Sequence, residues 1–556
     1  MSKRYVFGID LGTTYSCIAY VDDTGHAVVL PNSEGAPITP SVVQIDEDGN
    51  PVVGEVAKDN AVLEADSTVE FVKRDIGKAA ISRTIHGVDY SPEEISALIL
   101  RKIAQDVQTS AFGVEVKDVV ITCPAYFGDA ERLATANAGR IAGLNVMEVI
   151  KEPLAAAIHF GATRATENAN YLVFDLGGGT FDVTIMRFHD GAIEEVCSEG
   201  DHKLGGKDWD DKLINHLMAQ FAEEIGMEVD FSDAEKQALR LAAEKAKKML
   251  SAKPATAVRL DAGGVQRRIE VTRELFDEIT AIERDRAFDI TDLAVESARA
   301  KGVEVDAILL VGGSTIMPQI KDAIIARYGI EPKSHEPSEA VAKGAALYAV
   351  MVYLENQEAF NHWKVSADTG GSGHAPAGGP LDNAEHYAEE LNVSPHLIGG
   401  GAQPLRIVTA TTKSYGVAVI DPDDQSREKI ANLIVKNTAM PDEVFEASGD
   451  FFTAADGQTS ADIQIYESDY GATDLFDVDP DLMLGRAELL LPPHMPVGSP
   501  LQITLTLDRQ GRLHVLGKDL TSGTEVHSDM QIKGALSESQ IEELTAKTGA
   551  LKIRDF

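Results

Sequence analysis

Three short segments carry the residue types that phosphoryl chemistry needs. The first is Asp10-Leu11-Gly12-Thr13-Thr14, directly after the apolar run Tyr5–Ile9. A tight turn of Gly12, Thr13 and Thr14 presents backbone N–H groups and hydroxyls without bulk, which is what a polyphosphate needs from its cradle. Asp10, at the strand end, faces the same spot. A carboxylate beside phosphates is costly unless Mg2+ lies between them, directly or through water. The second segment is Asp175-Leu176-Gly177-Gly178-Gly179-Thr180, with Asp182 two residues further on the following strand and able to face the same cleft. The third is Gly312-Gly313-Ser314-Thr315, between a buried-strand pattern and a helix-like run. Such a strand-to-helix junction is a typical ligand crevice in an α/β fold, and its glycines permit close backbone approach. A lone glycine turn is usually only a turn. Two aspartate-glycine jaws placed on strands imply a Mg-nucleotide held between lobes.

The elements that position these residues read as α/β over 1–353. Asp118–Thr122 and Val305–Val311 have the composition of buried strands, and Ala234–Leu250 that of a long helix. An internal echo is more telling. Tyr5–Thr14 and Tyr171–Thr180 each give an apolar strand, Asp-Leu-Gly and a small hydroxyl-bearing turn, so two related lobes face one cleft. Residues 354–404, with Gly370-Gly371-Ser372-Gly373 and Ala375–Pro380, read as a flexible linker, with a short helix expected over Leu381–Leu391. From 405 to 535 the pattern has period two. Ile430–Val435, Ala461–Tyr466 and Leu501–Leu507 are strands, and Asp456-Gly457 and Gln510-Gly511 are turns. Ser537-Glu538-Ser539-Gln540 is a capping box that opens a final short helix in 536–556.

The chain has 556 residues, too many for one core, and a net charge of −39 from 50 Lys+Arg and 89 Asp+Glu. Such a surface repels phosphate backbones, which argues against nucleic acid or anionic membrane as the main partner. Cys17, Cys123 and Cys197 are widely spaced and odd in number, which fits buried thiols in a reducing compartment. The N-terminal apolar run is broken by Asp10, and no long apolar stretch follows, so a signal peptide and a membrane span are not expected and the cytoplasm is.

Gly8–Ser16, Val173–Val183 and Val311–Pro318 resemble the phosphate-1, phosphate-2 and adenosine motifs of the actin, sugar-kinase and heat-shock-70 superfamily. Pro124-Ala125-Tyr126-Phe127, Ile150–Ala157 and Leu204–Asp210 resemble the heat-shock-70 branch in particular. The similarity runs through most of 4–350 and into the β-rich part. It implies an actin-like ATPase with ribonuclease-H-like duplicated lobes, followed by an all-β sandwich that grips an extended peptide. Thr13, Thr14 and Tyr15 then match residues that hold the β- and γ-phosphates, with Gly12, Gly177, Gly178, Gly179 and Gly206 around them. Asp10, Asp175 and Asp182 match the acidic groups about Mg2+ and the attacking water. Lys73 matches the catalytic lysine, and Glu152 and Thr180 further groups at the phosphoryl end. Sequence alone would leave Lys73 a surface lysine; only the resemblance singles it out. Glu244, Lys247, Ser251, Gly312, Gly313 and Ser314 match the adenosine side. Pro124 and Arg132 match the relay between domains.

Several positions depart from the family pattern. Lys248 and Ile316 stand where arginines usually sandwich the adenine, and Ser338 replaces a usual aspartate. Loss of guanidinium stacking is expected to cost about 0.5–2 kcal/mol of nucleotide affinity. Val417, Ile420, Phe451, Ala454, Ala461 and Ile463 match the peptide channel, and Ala461 is smaller than the usual valine, so a roomier pocket is expected. The helical lid is not recognisable, the region between Lys73 and Pro124 is shorter than usual, and Leu405-Arg406-Ile407-Val408 replaces the acidic-leucine linker, which puts interdomain coupling in question. The expected activity is a slow ATPase that serves protein folding. Its partners would be unfolded polypeptides, a J-domain co-chaperone and a nucleotide exchange factor. The alternative is an adaptor or co-chaperone that binds ATP and scarcely hydrolyses it. A small-molecule kinase on the same ATPase fold would leave the β-rich part unexplained.

Overall fold

A computed structural model describes residues 4–554 apart from 79–81, 163–167, 190–191, 335, 356–405, 441–443, 509–512 and 530–535. The Gly- and Pro-rich stretch, the helix expected over 381–391 and the turn at 510–511 lie outside the described residues.

The N-terminal part is mixed α/β. Val6–Asp10 pairs antiparallel with Tyr15–Val21 and parallel with Asp118–Cys123 in a six-stranded sheet. Ala169–Leu176 repeats the arrangement in a seven-stranded sheet, antiparallel to Phe181–His189 and parallel to Ala307–Val311. The echo in the sequence is thus an echo in topology. The parallel-paired strands Asp118–Cys123 and Ala307–Val311 are buried along their whole length, which is why they read as unbroken apolar runs rather than as alternation.

The two sheets are joined by Glu152–Ala162 and Ala340–Glu355, helices apolar on nearly every face and therefore buried. At Gly344 an added Cβ would sit 1.7 Å from the carbonyl oxygen of Ala155, so the helices touch backbone to backbone. One core takes Val6 and Ala19 from the first sheet, Val173 and Met186 from the second, and Ala342 and Ala346 from the helix between them. That shared core brings the strand ends bearing Asp10 and Asp175 to one place. The expected long helix is Asp233–Ala252. It opens at Ser232, whose Oγ accepts from the Glu235 N–H while the Glu235 carboxylate accepts from the Ser232 N–H. Such a cap contributes about 1 kcal/mol.

The C-terminal part is β-rich. A five-stranded sheet contains Ser414–Ile420, Glu428–Ile434 and Ser460–Ser468, and a four-stranded sheet contains Val444–Phe452, Pro500–Asp508 and Leu513–Asp519. Val417, Ile463 and Ile465 from the first and Leu501, Leu505 and Val515 from the second form one core.

Arg406–Ala410 does not join these sheets. It extends the N-terminal seven-stranded sheet, parallel to Ala192–Asp201. The final helix, Glu538–Ala550, has the expected capping box and packs on the N-terminal helices Pro92–Thr109 and Asp129–Ile141, with Ile541 buried against Ala97 and Ile141. Beyond it Ile553 enters the core of the first sheet, and Arg554 lies 2.8 Å from Asp46 and 2.6 Å from Asp48. No helix among the described residues is long and apolar enough to cross a membrane.

Candidate functional site

A cavity of about 440 Å³ opens between the two sheets. Its walls take in Asp10, Gly12, Thr13, Thr14, Tyr15, Lys73, Glu152, Asp175, Gly177, Gly178 and Thr180 at one end. Glu244, Lys247, Lys248, Ser251, Gly312, Gly313, Ser314 and Ile316 line the other. Three expected residues stand just behind the wall. Asp182 faces Asp175 across the antiparallel pair. Gly179 abuts Thr13, and the Gly206 carbonyl accepts from Lys247 Nζ at 2.8 Å.

The two jaws interlock. A Cβ on Gly178 would lie 2.1 Å from Thr14 Oγ1, and one on Gly179 would lie 2.2 Å from Thr13 Cγ2. Only glycine lets the second jaw close over the threonines of the first, leaving backbone N–H groups to line the gap.

At the floor Lys73, 3% exposed, lies 2.5 Å from Glu152 Oε1. Burial would strip its proton, but Glu152 and Asp10 hold the ammonium above its ordinary value. Around it are three carboxyls. Burial, with Glu152 nearby, pushes Asp10 up to about 7, although it accepts from Thr122 Oγ1 at 2.9 Å. Burial and Glu152 lift Asp182 to about 8, and it accepts from the Tyr126 N–H at 2.9 Å. Asp175 is raised well above the carboxylate range by burial and by Glu152, Asp182 and Asp10, and its Oδ2 is buried without a hydrogen-bond partner. Several carboxyls about one lysine form an arrangement short of positive charge. Among the described residues no group of three acidic, His or Cys side chains is drawn close enough to ligate an ion by itself.

At the opposite end Asp233–Ala252 presents Glu244, Lys247, Lys248 and Ser251 on one face, as their spacing dictates. Lys247 Nζ is 2.7 Å from Asp210, and Ser314 Oγ donates to the Gly177 carbonyl at 2.8 Å. Lys58 reaches 2.6 Å from Glu244 and donates to Tyr15 Oη at 2.9 Å, and Lys248 donates to the same hydroxyl. Burial alone would lift Glu244, but Lys58 and Lys248 hold it down to about 2. Ile316 is 56% exposed at this end, an apolar face toward the opening.

Sequence reasoning missed Lys58, Thr122 and Arg74. Arg74 donates from Nε to the Gly179 carbonyl at 2.8 Å and lies 2.5 Å from Asp208. No local pattern marks Lys58 or Thr122. Asp208 and Asp210, however, lie inside the quoted segment Leu204–Asp210.

The channel-matched residues spread over the β-rich part. Val417 and Ile463 are buried in its core, Phe451 and Ala461 pack at the margin of that core, and Ile420 and Ala454 are exposed. Arg132 is half-buried and donates to the Val149 carbonyl at 3.1 Å; Pro124 follows the strand Asp118–Cys123 before it.

The seam between the two parts is polar and ordered. Lys151 Nζ donates to Glu195 at 2.8 Å and to the Ala410 carbonyl at 2.8 Å. Tyr415 donates to Asp129 Oδ2 at 2.7 Å, and Lys436 lies 2.8 Å from Glu199. Lys413 and Lys436 stand over the Tyr126 ring at 4.3 and 5.0 Å.

The sequence profile described as "Hsp70 protein" matches residues 6–86, 77–359 and 403–555. Among curated proteins, "Chaperone protein DnaK" of Thermotoga neapolitana is 35% identical over 551 residues, 98% of this chain and 83% of the relative. The proteins of the same description from Thermosipho melanesiensis and Thermotoga maritima are each 34% identical over 551 residues, with the same coverage.

Proposed function

The chain belongs to the heat-shock protein 70 family, and we propose that it is an ATP-dependent chaperone that hydrolyses Mg-ATP in the cavity between its sheets and binds apolar segments of unfolded polypeptides. Chaperone function with ATP binding and hydrolysis is what membership of the family carries. The finer reading is that the N-terminal part is an actin-like ATPase with duplicated ribonuclease-H-like lobes. The repeated three-stranded unit supports it. The C-terminal part is read as a β-sandwich, supported by two sheets that share one core.

The observation that carries the proposal is the pairing of interlocked glycine jaws with the buried Lys73 among carboxyls. Thr13, Thr14, Tyr15, Gly178 and Gly179 hold the phosphates through backbone N–H groups and hydroxyls. Asp10, Asp175 and Asp182 fit a hydrated Mg2+. Their shared need for positive charge and the unpartnered Asp175 Oδ2 support that fit. Bound there, the ion would offset phosphate charge. Lys73, its ammonium held by Glu152, positions the attacking water and offsets charge at the phosphoryl group, and the proton that water gives up leaves on the released phosphate. Glu244, Lys247, Lys248, Ser251 and Ile316 take the adenosine.

Peptide binding is assigned to the inward and rim residues Val417, Phe451, Ala461 and Ile463, with Ile420 and Ala454 at the opening. Coupling is supported by the strand Arg406–Ala410. Its last carbonyl is held by Lys151, the neighbour of Glu152. J-domain and exchange-factor partners and a cytoplasmic setting complete the reading.

The test is the ATPase rate with and without unfolded peptide, beside Lys73→Ala. Peptide stimulation that the substitution abolishes supports the proposal. A flat, near-zero rate in the unmodified protein would refute the hydrolytic cycle in favour of an ATP-binding adaptor.

A further inference from the structure

Beside the nucleotide cavity lies a second groove of about 790 Å³. It shares Glu70, Phe71, Lys207 and Arg240 with the first, so the two meet at these residues. Its charge is the reverse of the molecule's. Seven of its lining residues are Lys or Arg and four are Asp or Glu, whereas the whole chain has 50 against 89. A cluster of cations on so acidic a chain concentrates the local field for an anion.

Part of this charge is uncommitted. Arg83 and Lys203 have no side-chain partner among the described residues. By contrast Arg74 is engaged by Asp208 and Lys207 by Asp211. The groove also reaches the back of the phosphate cradle. Arg74 donates to the Gly179 carbonyl, and the Lys207 N–H to the Gly178 carbonyl at 2.8 Å. Phe71 stands between the two spaces, its ring flanked by Lys207 at 5.5 Å and Arg240 at 5.9 Å. Its backbone is left-handed, φ 59°, at a cost of about 1–2 kcal/mol that a phenylalanine pays only where its surroundings hold it.

We propose that this groove is a second oxyanion site of phosphate chemistry, beside the cradle and reached past Phe71, with Arg83 and Lys203 as its uncommitted cations. The occupant has two possible sources: free phosphate leaving after hydrolysis, or the outer phosphates of a nucleotide tail longer than a triphosphate. The groove itself does not depend on the Mg-ATP reading; both sources do, the first through hydrolysis and the second through a nucleotide seated in the cleft.

The experiment is calorimetry on the full chain and on Arg83→Ala/Lys203→Ala. Inorganic phosphate is titrated with the cleft saturated by Mg-ADP, and adenosine tetraphosphate is compared with ATP. For free phosphate as the occupant, phosphate binds beside ADP and binds about tenfold more weakly to the variant, the loss expected for one charge-assisted hydrogen bond. For a nucleotide tail, phosphate alone gives no heat, and a preference for tetraphosphate over ATP disappears in the variant. Unchanged ATP affinity in the variant shows that the fold and the cradle are intact. If Mg-ADP does not bind, the function proposed above fails. The same phosphate titration on nucleotide-free protein then still decides the groove. Equal phosphate and tetraphosphate affinities in both proteins, or phosphate heat that ADP abolishes and the variant leaves unchanged, overturn the site.

Discussion

Replacing Lys73 by alanine removes the cation whose charge Asp10, Asp175 and Asp182 all feel and leaves Glu152 buried without its partner. Breaking a buried pair by deleting one member costs about 3–5 kcal/mol, because the surviving charge has lost both water and partner. Here the cost depends on pH, and its sign follows from the raised carboxyls. Asp10 and Asp182 release their protons at about 7 and about 8 in the folded protein, against an ordinary value of 3.8. The folded state therefore binds protons that the unfolded state has lost. Stability of the nucleotide-free protein rises as pH falls from about 8 toward the ordinary carboxylate range, by about 1.4 kcal/mol per pH unit for each such proton. Without Lys73 the carboxyls hold protons more tightly still, so acid rescues the variant more than the parent. The expected loss is about 3–5 kcal/mol at pH 8, shrinking to about 1–3 kcal/mol at pH 6.

The assay is urea unfolding followed by circular dichroism at the two pH values, both proteins free of nucleotide, with ATP turnover measured alongside. Turnover is expected to fall by about 100-fold or more, the size of effect seen when one preorganised electrostatic group is lost. An equal destabilisation at pH 6 and pH 8 would refute the charge argument. Turnover within a few-fold of the parent would remove Lys73 from the phosphoryl end.

Three further outcomes follow from the geometry. Gly179→Ala places a methyl group 2.2 Å from Thr13 Cγ2, and the overpacking of about 1–3 kcal/mol should pry the jaws apart and weaken ATP binding by about tenfold or more in calorimetry. Lys248→Arg with Ile316→Arg restores planar cations beside the adenine end and should tighten ATP by about 0.5–2 kcal/mol; unchanged affinity would mean that the two substitutions are irrelevant to binding. Tyr415→Phe deletes the 2.7 Å hydrogen bond to Asp129 across the seam, at a cost of about 1.5–3 kcal/mol, and should lower peptide stimulation of the ATPase while leaving the basal rate in place.

What the sequence made legible was local. Each glycine jaw is a strand, a turn and a strand within about a dozen residues, so its chemistry and its secondary structure are written in one place. The duplicated hairpins, the buried strands, the long helix after Asp233 and the capping box at Ser537 all follow from period and punctuation. Lys73 illustrates the limit. It sits in a one-turn helix after the left-handed Phe71, a segment without apolar rhythm, and nothing nearby predicts that its ammonium is buried. Lys58 and Thr122 are further cases. Their partners Glu244 and Asp10 are 186 and 112 residues away, and only the folded sheets bring them within reach. Leu405–Val408 reads from sequence as a linker replacement at the start of the β-rich part, and its pairing with the N-terminal sheet was not legible, because an edge accepts any extended backbone and side chains do not choose the partner.

That last pairing changes how the altered linker should be understood. The question raised by the sequence was whether coupling could survive without the usual acidic residues. In the structure the linker strand is held through its backbone: by the ladder to Ala192–Asp201, and by Lys151, which grips the Ala410 carbonyl while neutralised by Glu195. Backbone contacts tolerate side-chain change, so losing the aspartates removes little of this attachment. What remains sensitive is position. Lys151 is followed at once by Glu152, the partner of Lys73, and Tyr126, under Lys413 and Lys436 of the β-rich part, donates its N–H to Asp182. On the proposed reading, a shift of the β-rich part against the seam would reach two of the charged groups in the cleft through one residue each. The altered linker and the intact carboxyl cluster are in this sense compatible: the coupling proposed for this chain would need the strand to be in register, not to be acidic.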